Sequence, residues 1–182
     1  MPLTLVTGPA NAEKAAVVLG RVRELAAVGA EPILVVPTVE DVAGYRAELA
    51  ADGLLLGVRV ERFEGLMRTV ADRAGVLPRP ASQLVREHVA RAAVASCSLG
   101  PTARSAATPG FAAALVALTG ELAGQGVGTG RFVAAMRSWA AAEPARTAYA
   151  DDLAALVAAY RDRLERLGRL DPADADRAAL DG

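Results

Sequence analysis

Apolar and polar positions in the first third of the chain follow two different periods. Short apolar runs at residues 3–6, 33–36 and 58–60 have the length of buried strands. Each run is followed by a stretch in which apolar residues recur every three or four positions, which predicts an amphipathic helix. The order strand, helix, strand, helix, strand, helix with short connections is typical of a parallel sheet covered by helices.

Local signals place the ends of several of these helices. Thr38 and Asp41 have the spacing of a capping box, so a helix is expected to begin just after Thr38. Glycines at 29, 53 and 75 follow the last apolar position of each predicted helix, as residues that end helices commonly do.

After Pro78 the strand pattern stops and only helical periodicity remains. One helix is expected to begin at Pro80 or Ser82, another at Thr108-Pro109, and the longest spans residues 153–167 and ends at Gly168. A polar loop rich in helix breakers separates the first two, over residues 96–108. The sequence therefore predicts an α/β domain over residues 1–77 and an all-helical domain over residues 78–182.

Composition excludes several classes of protein. Of the 182 residues, 53% are hydrophobic, which is too many for a disordered chain. The only cysteine is Cys97 and the only histidine is His88, which excludes an internal disulfide and a thiolate or histidine-rich metal site. No apolar run approaches the ~20 residues of a membrane span, and the first residues do not resemble a signal peptide. We expect a cytoplasmic protein with no membrane partner.

Charge is balanced overall but uneven along the chain. The net charge is −1, so the whole molecule exerts no general attraction on nucleic acid. Residues 1–78 carry 8 basic and 10 acidic groups, residues 79–150 carry 7 and 3, and residues 151–182 carry 5 and 8. The middle of the chain is therefore mildly basic. Lys14 is the only lysine of the whole sequence, and all other basic side chains except His88 are arginines.

The turn after the first predicted strand carries part of a phosphate-binding motif. Gly8 and Lys14 have the spacing of the first glycine and the lysine in G-x-x-x-x-G-K-[ST]. Glu13 replaces the second glycine, and Ala15 replaces the hydroxyl that holds Mg²⁺. We expect a turn with the shape of a phosphate loop, no cofactor, and no productive binding of ATP or Mg²⁺. Weak nucleotide binding, or an unrelated turn with a chance glycine and lysine, are the alternatives.

Residues 3–15 (LTLVTGPANAEKA) resemble the N-terminus of AddB-type subunits of bacterial helicase-nucleases. Further segments follow in family order. Residues 33–38 (ILVVPT) resemble motif Ia of UvrD-like superfamily 1 helicases, residues 58–66 (VRVERFEGL) the next strand and helix, and residues 153–174 a long helix before an Asp-x-x-Asp segment. The resemblance is densest over residues 3–75.

This resemblance implies a P-loop NTPase-like sheet, part of helicase domain 1A, followed by a helical lobe like domain 1B. It implies a fragment of a longer protein that acts in double-strand break repair beside a helicase partner and often ends in a PD-(D/E)xK nuclease domain. Pro37 and Thr38 would contact single-strand phosphate, and Arg62 and Phe63 lie near a further DNA-contacting segment. Arg62 stands where the family usually has a small hydroxyl residue. Binding to DNA is expected to be weak and independent of sequence.

Two other hypotheses for the function of the chain remain possible from the sequence. One is a nucleotide-binding enzyme, a P-loop kinase or ATPase with an aberrant loop, and the other is a module whose helical half binds a partner protein. Trp139 and Tyr160 could stack on bases, but their places on apolar helix faces favour core packing, as does that of His88. The acidic pairs Asp151-Asp152 and Asp171/Asp174 are interpreted as helix caps.

Overall fold

The structure is a computed structural model that describes residues 3–10, 12–51, 53 and 56–181. The protein is mostly helical, with a small two-stranded parallel sheet, and fits the α/β class in a loose sense. The chain divides into two compact units after Val70. The sequence prediction placed this boundary between residues 77 and 78.

The first unit consists of the sheet and the helices around it. Its elements in chain order are α1 (Lys14–Ala27), β1 (Ile33–Val36), α2 (Val39–Ala50), β2 (Arg59–Arg62) and α3 (Phe63–Ala74), which continues past the boundary. The second unit is built from helices. They are α4 (Gln83–Ser96), α5 (Ala103–Ala106), α6 (Phe111–Gly124), α7 (Thr129–Ala141), a 3-10 turn (Pro144–Arg146), α8 (Thr147–Arg166) and α9 (Pro172–Asp181).

The sheet is a parallel pair with α2 as its crossover helix. The strands are in register from Ile33 opposite Arg59 to Val36 opposite Arg62. A parallel pair needs a crossover connection, and the helical period between the two apolar runs predicted one. The side chains that form the small core of this unit come from α1, α2 and both strands: Leu19, Val22, Val36, Leu49 and Val60.

The prediction of a first strand at residues 3–6 is wrong. These residues form no strand, and their side chains are exposed, Leu3 to 96%. An apolar run shows only that burial would be favourable. A strand also needs a neighbouring edge to which its backbone groups can bond, and no such pairing of residues 3–6 occurs in the part of the chain that the structure describes. Leu54 and Leu55, which precede the third predicted strand, lie outside the described residues.

The predicted start of α2 and the predicted ends of α1 and α8 are confirmed. Thr38 precedes α2 with a complete capping box, in which the Asp41 N–H donates to Thr38 Oγ1 at 3.1 Å and the Thr38 N–H donates to Asp41 Oδ2 at 3.2 Å. Just beyond α1 and α8, Gly29 and Gly168 adopt φ of 77° and 60°. This left-handed conformation favours glycine, so these residues end their helices as predicted.

The helical unit packs around the middle of α8. Its core residues come from the segment before α4 and from α4, α6, α7 and α8: Ala81, Val89, Ala90, Ala93, Ala112, Leu115, Val116, Phe132, Leu156, Val157, Tyr160 and Leu164. The prediction that only helices follow residue 78 needs one correction. Pro80 and Leu170 form an isolated parallel bridge, in which the Ala81 N–H donates to the Leu170 carbonyl at 2.8 Å.

The predicted start of α6 at Thr108-Pro109 is also wrong. The helix begins at Phe111 after Gly110. Thr108 instead donates its hydroxyl to the Ser105 carbonyl at 2.7 Å, so it closes the preceding turn. Thr-Pro is compatible with either arrangement, and packing decides between them.

Within the described ranges, no single helix has the length and apolar character of a membrane span. The pair α6 and α7 meets that test together by length and composition only, but the two helices are bent by 108° at their junction.

A buried polar cluster joins α4, α6, α8 and the start of α9. Arg86 Nε donates to Asp171 Oδ1 at 2.9 Å, and the Tyr160 hydroxyl donates to the same oxygen at 3.0 Å. Arg86 also donates to the Val116 carbonyl at 3.0 Å. Burial raises the pKa of Asp171, while the Arg86 guanidinium opposes the rise. Asp171 does precede α9, as predicted, but its carboxylate holds helices together.

A second buried carboxylate fixes the loop after α4. Asp152 accepts hydrogen bonds from the Gly100 N–H at 3.0 Å, the Thr102 N–H at 2.9 Å and the Thr102 hydroxyl at 2.6 Å. Burial alone would raise the pKa of Asp152, but these hydrogen bonds outweigh it and hold the pKa below the ordinary value. Asp151 and Asp152 lie inside α8, so their interpretation as residues that cap a helix start is wrong.

Replacing Asp171 with asparagine should lower the free energy of unfolding by about 3–5 kcal/mol, because the Arg86 guanidinium stays largely buried without its counter-ion. Asp162→Asn serves as the control, since it removes an exposed ion pair with Arg166 on α8. That control should cost less than about 1 kcal/mol. Urea unfolding followed by circular dichroism measures both, and equal losses would contradict the assignment.

Acid should remove the contribution of Asp152. A carboxyl group whose pKa is lowered by folding stabilises the folded state above the pKa of the unfolded chain, ~4, and loses that contribution as the pH falls through the folded-state pKa. Asp152→Asn should therefore be about 1–3 kcal/mol less stable than the parent at neutral pH. This difference should shrink as the pH falls below about 4.

Asp151→Asn is the matched control for this experiment, because Asp151 is the exposed neighbour of Asp152. Unfolding free energies of the three proteins are compared over a pH series. A difference between the parent and Asp152→Asn that stays constant down to acidic pH would contradict the role of the ionised carboxylate.

Candidate nucleic-acid interface

The two strands bring two predicted site segments to one edge of the sheet. Pro37 and Thr38 follow β1 directly, while Arg62 is the last residue of β2 and Phe63 comes next. Because the strands are parallel and Val36 lies opposite Arg62, both segments leave the sheet at its carboxyl edge. This edge is where open parallel sheets commonly bind ligands. We refer to residues 37–38 and 62–63 as the carboxyl edge.

Thr38 has a structural task at this edge. Besides its part in the capping box, its hydroxyl lies 2.7 Å from Asp41 Oδ2, with Thr38 as donor. Glu40 and Asp41 both lie in the first turn of α2. A phosphate that approached the Thr38 side chain would therefore meet carboxylates, which repel it. The Thr38 side chain is therefore used to cap α2. A phosphate at this residue would have to be bound by other groups nearby.

Arg62 and Phe63 place a cation and an aromatic ring side by side. Arg62 Nη2 lies 2.7 Å from Glu64 Oε2, and both side chains of this pair are largely in solvent. The Phe63 side chain is 59% exposed. An exposed ion pair contributes little to stability, so a phosphate can replace Glu64 as the partner of Arg62 at small cost. Arg62 and Phe63 are thus both accessible to a ligand at the carboxyl edge.

In the turn that carries Gly8 and Lys14, one residue has a backbone conformation that is unusual for a residue with a side chain. Glu13, which stands in the place of the second glycine, has φ 50° and ψ 28°, the left-handed conformation that glycine adopts freely. Gly8 is also tightly packed, since a Cβ there would lie 3.2 Å from the Ala12 Cβ. Asn11 lies outside the described residues. Glu13 therefore has a backbone conformation that is more typical of glycine.

The side chain of Lys14 folds back and bonds to the backbone of its own loop. Lys14 opens α1, and its Nζ donates to the Gly8 carbonyl at 3.1 Å and to the Pro9 carbonyl. A phosphate loop works because its backbone N–H groups and lysine face the ligand. Here carbonyl oxygens face the ammonium group, so Lys14 neutralises loop dipoles instead of presenting its charge to a ligand.

A cavity links this turn to the carboxyl edge. It has a volume of about 370 Å³, is open to solvent, and includes Val6, Lys14, Val36 and Pro37 in its wall. Most of the remaining wall is apolar side chain, so the cavity offers an anion little beyond Lys14. Gly8 itself does not line it. The structure thus brings Lys14 near Pro37, while the Lys14 ammonium stays bonded within its loop.

Several other candidate residues lie elsewhere in the second unit. Tyr160 is in the core, as predicted, whereas Trp139 and His88 are exposed, so the prediction that they are packed is wrong. Their helices expose them because smaller neighbours, Ala140 on α7 and Val89 on α4, take the buried positions. No group of three or more His, Cys, Asp or Glu side chains that could hold a metal ion occurs in the ranges that the structure describes.

The surroundings of Trp139 were not predicted from the apolar periodicity of the sequence. Its ring meets Tyr149 in an edge-to-face contact, and the Arg146 guanidinium lies over it. The sequence signal that could have indicated it is Pro144, which separates two helical periods. The 3-10 turn that begins at Pro144 brings Trp139 and Tyr149 together. The apolar periodicity alone did not distinguish a flanking position from a central one.

Comparison of the chain with protein-family models, with curated proteins and with solved structures gave no match in any of the three.

Proposed function

We propose that this chain is an inactivated helicase-like module that contacts single-stranded DNA at the carboxyl edge of its parallel strands and does not hydrolyse ATP. In line with the resemblance of residues 3–75, the module would belong to a subunit of a helicase-nuclease in double-strand break repair and act beside a helicase partner. The observation that carries the proposal is the parallel register, in which Val36 lies opposite Arg62. It joins two segments that are 24 positions apart in the sequence.

The chemistry of the edge supports weak contact that is independent of base sequence. Arg62 supplies one cation and Phe63 one exposed ring, while Glu40, Asp41 and Glu64 supply opposing charge. A guanidinium binds any phosphate and a ring stacks on any base, so neither distinguishes one sequence from another. With few phosphate contacts, we expect a dissociation constant in the range of non-specific binding, ~10⁻⁴–10⁻⁶ M.

The phosphate turn supports the second half of the proposal. Ala15 offers no oxygen to Mg²⁺, Glu13 adds a negative charge beside the place of the phosphates, and the Lys14 ammonium is bonded to carbonyls. Phosphoryl transfer needs both the metal ion and the lysine to stabilise the developing charge. A turn that keeps the glycine and lysine spacing of a phosphate loop but lacks the side chains that hold Mg²⁺ supports a module without hydrolysis.

Removing the cation of the carboxyl edge should weaken DNA binding. We expect Arg62→Ala to lower the affinity for oligo(dT) about threefold or more and to reduce the salt slope by about 0.7, the value for one phosphate on a single strand. Glu64→Gln should raise the affinity, since it frees the guanidinium. Fluorescence anisotropy of a labelled oligonucleotide at about 50 mM and about 200 mM salt measures both effects.

Arg21 and Glu24 provide matched controls for charge. They form an exposed pair at 2.8 Å on α1, so Arg21→Ala and Glu24→Gln change the net charge of the protein by the same amounts as the edge variants. The control variants should stay within about twofold of the parent, as expected for charges with no phosphate contact. Equal effects of Arg62→Ala and Arg21→Ala would remove the carboxyl edge as the site, and a parent protein without any DNA binding would overturn the proposed function.

ATP with Mg²⁺ should not bind appreciably to the natural sequence. We expect no dissociation constant below about 100 μM, equivalent to about −5.5 kcal/mol, in a calorimetric titration. Glu13→Gly combined with Ala15→Thr should improve binding, because it removes a carboxylate, returns glycine to a position that is already left-handed, and restores the hydroxyl that holds Mg²⁺. Tight binding by the parent would favour the alternative of a nucleotide-binding enzyme.

A further inference from the structure

An exposed cluster of two aromatic rings and a guanidinium lies on the second unit. Trp139 of α7 and Tyr149 of α8 meet edge to face, with ring centroids 6.2 Å apart and planes at 65°. Arg146 Cζ lies 4.9 Å from the centroid of the Trp139 ring. The two ring side chains are 43% and 42% exposed. We call these three residues the aromatic platform.

The platform is held in place by buried neighbours. Ala140 follows Trp139 on α7 and Ala150 follows Tyr149 on α8, and both alanines are buried. Arg146 ends the 3-10 turn between the two helices and pairs with Glu143 at 2.7 Å. Because rigid helices and a short turn set the positions of all three residues, a ligand that binds there pays little to order them.

Core packing does not account for these rings. In this unit Phe132 and Tyr160 are buried and Phe111 is partly buried against the core, whereas the only tryptophan of the chain remains at the surface. An exposed tryptophan beside a tyrosine and an arginine has the composition of surfaces that stack on nucleic-acid bases, since every base has a π-face and the guanidinium adds a cation–π contribution.

Exposed cations on the helix that carries Trp139 favour an anionic ligand. Arg131 and Arg137 of α7 are exposed, and neither forms an ion pair with any residue that the structure describes. We propose that the aromatic platform stacks on unpaired bases of a single-stranded nucleic acid. The choice of this partner rests on the proposed function, but the residues are different ones.

The single tryptophan gives the test a direct readout. Titration of the whole chain with unlabelled oligo(dT) should quench Trp139 fluorescence saturably, with the same midpoint as anisotropy of the labelled strand. Trp139→Ala should weaken binding at least about fivefold, the value for loss of one stacked base. Trp139→Phe, which keeps a ring, should retain most of the affinity, and this second variant separates stacking from any folding defect.

Leu84→Ala is the control, because it truncates another large exposed apolar side chain of the same unit. It should leave the affinity unchanged. Suppose that the labelled strand binds without a change in Trp139 fluorescence and that Trp139→Ala binds like Leu84→Ala. The platform is then not a stacking site, but the carboxyl edge remains a candidate binding site. If Trp139→Ala weakens binding and Arg62→Ala does not, the result supports the aromatic platform as the binding site and contradicts the carboxyl edge. If no strand binds at all, both fail.

Discussion

Parallel pairing of two four-residue strands determines where the candidate residues of the first unit lie. Parallel strands must be joined by a crossover, and α2 fills that connection while burying Leu49 against the strands. Because both strands run in the same direction, their carboxyl ends lie at the same end of the sheet. If the strands ran antiparallel, residues 37–38 and residues 62–63 would lie at opposite ends of the sheet, and no common interface would exist.

Features that depend on a few neighbouring residues could be predicted from the sequence. The capping box of Thr38 and Asp41 and the glycine after α1 are set by hydrogen bonds and backbone conformations within a few positions. The second and third strands were placed to within two residues because each was bounded by a turn and followed by a helical period. Residues 3–6 show the limit of such reasoning, since a strand depends on a partner edge elsewhere in the fold.

The candidate sites were less predictable for a related reason. The pairing of Arg86 with Asp171 joins residues 85 positions apart, and nothing in the local pattern of either residue indicates it. The helices of the second unit are rich in alanine, so their apolar surface is broad and several faces could turn inward. In the folded unit, Ala140 is buried and Trp139 is exposed, and likewise Val89 is buried and His88 is exposed. Tertiary packing therefore leaves two large side chains at the surface.

The two strands have one further consequence, for the behaviour of the unit in solution. Within the residues that the structure describes, each strand has a single neighbour, so each keeps one outer edge whose backbone groups have no strand partner. β1 is also wholly apolar in sequence, with Val35 partly in solvent. Such an edge is a template for any other extended apolar segment, and natural proteins protect theirs with charge, proline or a covering element. Pro37 follows β1 and does not block the backbone groups within the strand, so pairing with a second extended apolar segment is the route by which this unit would self-associate.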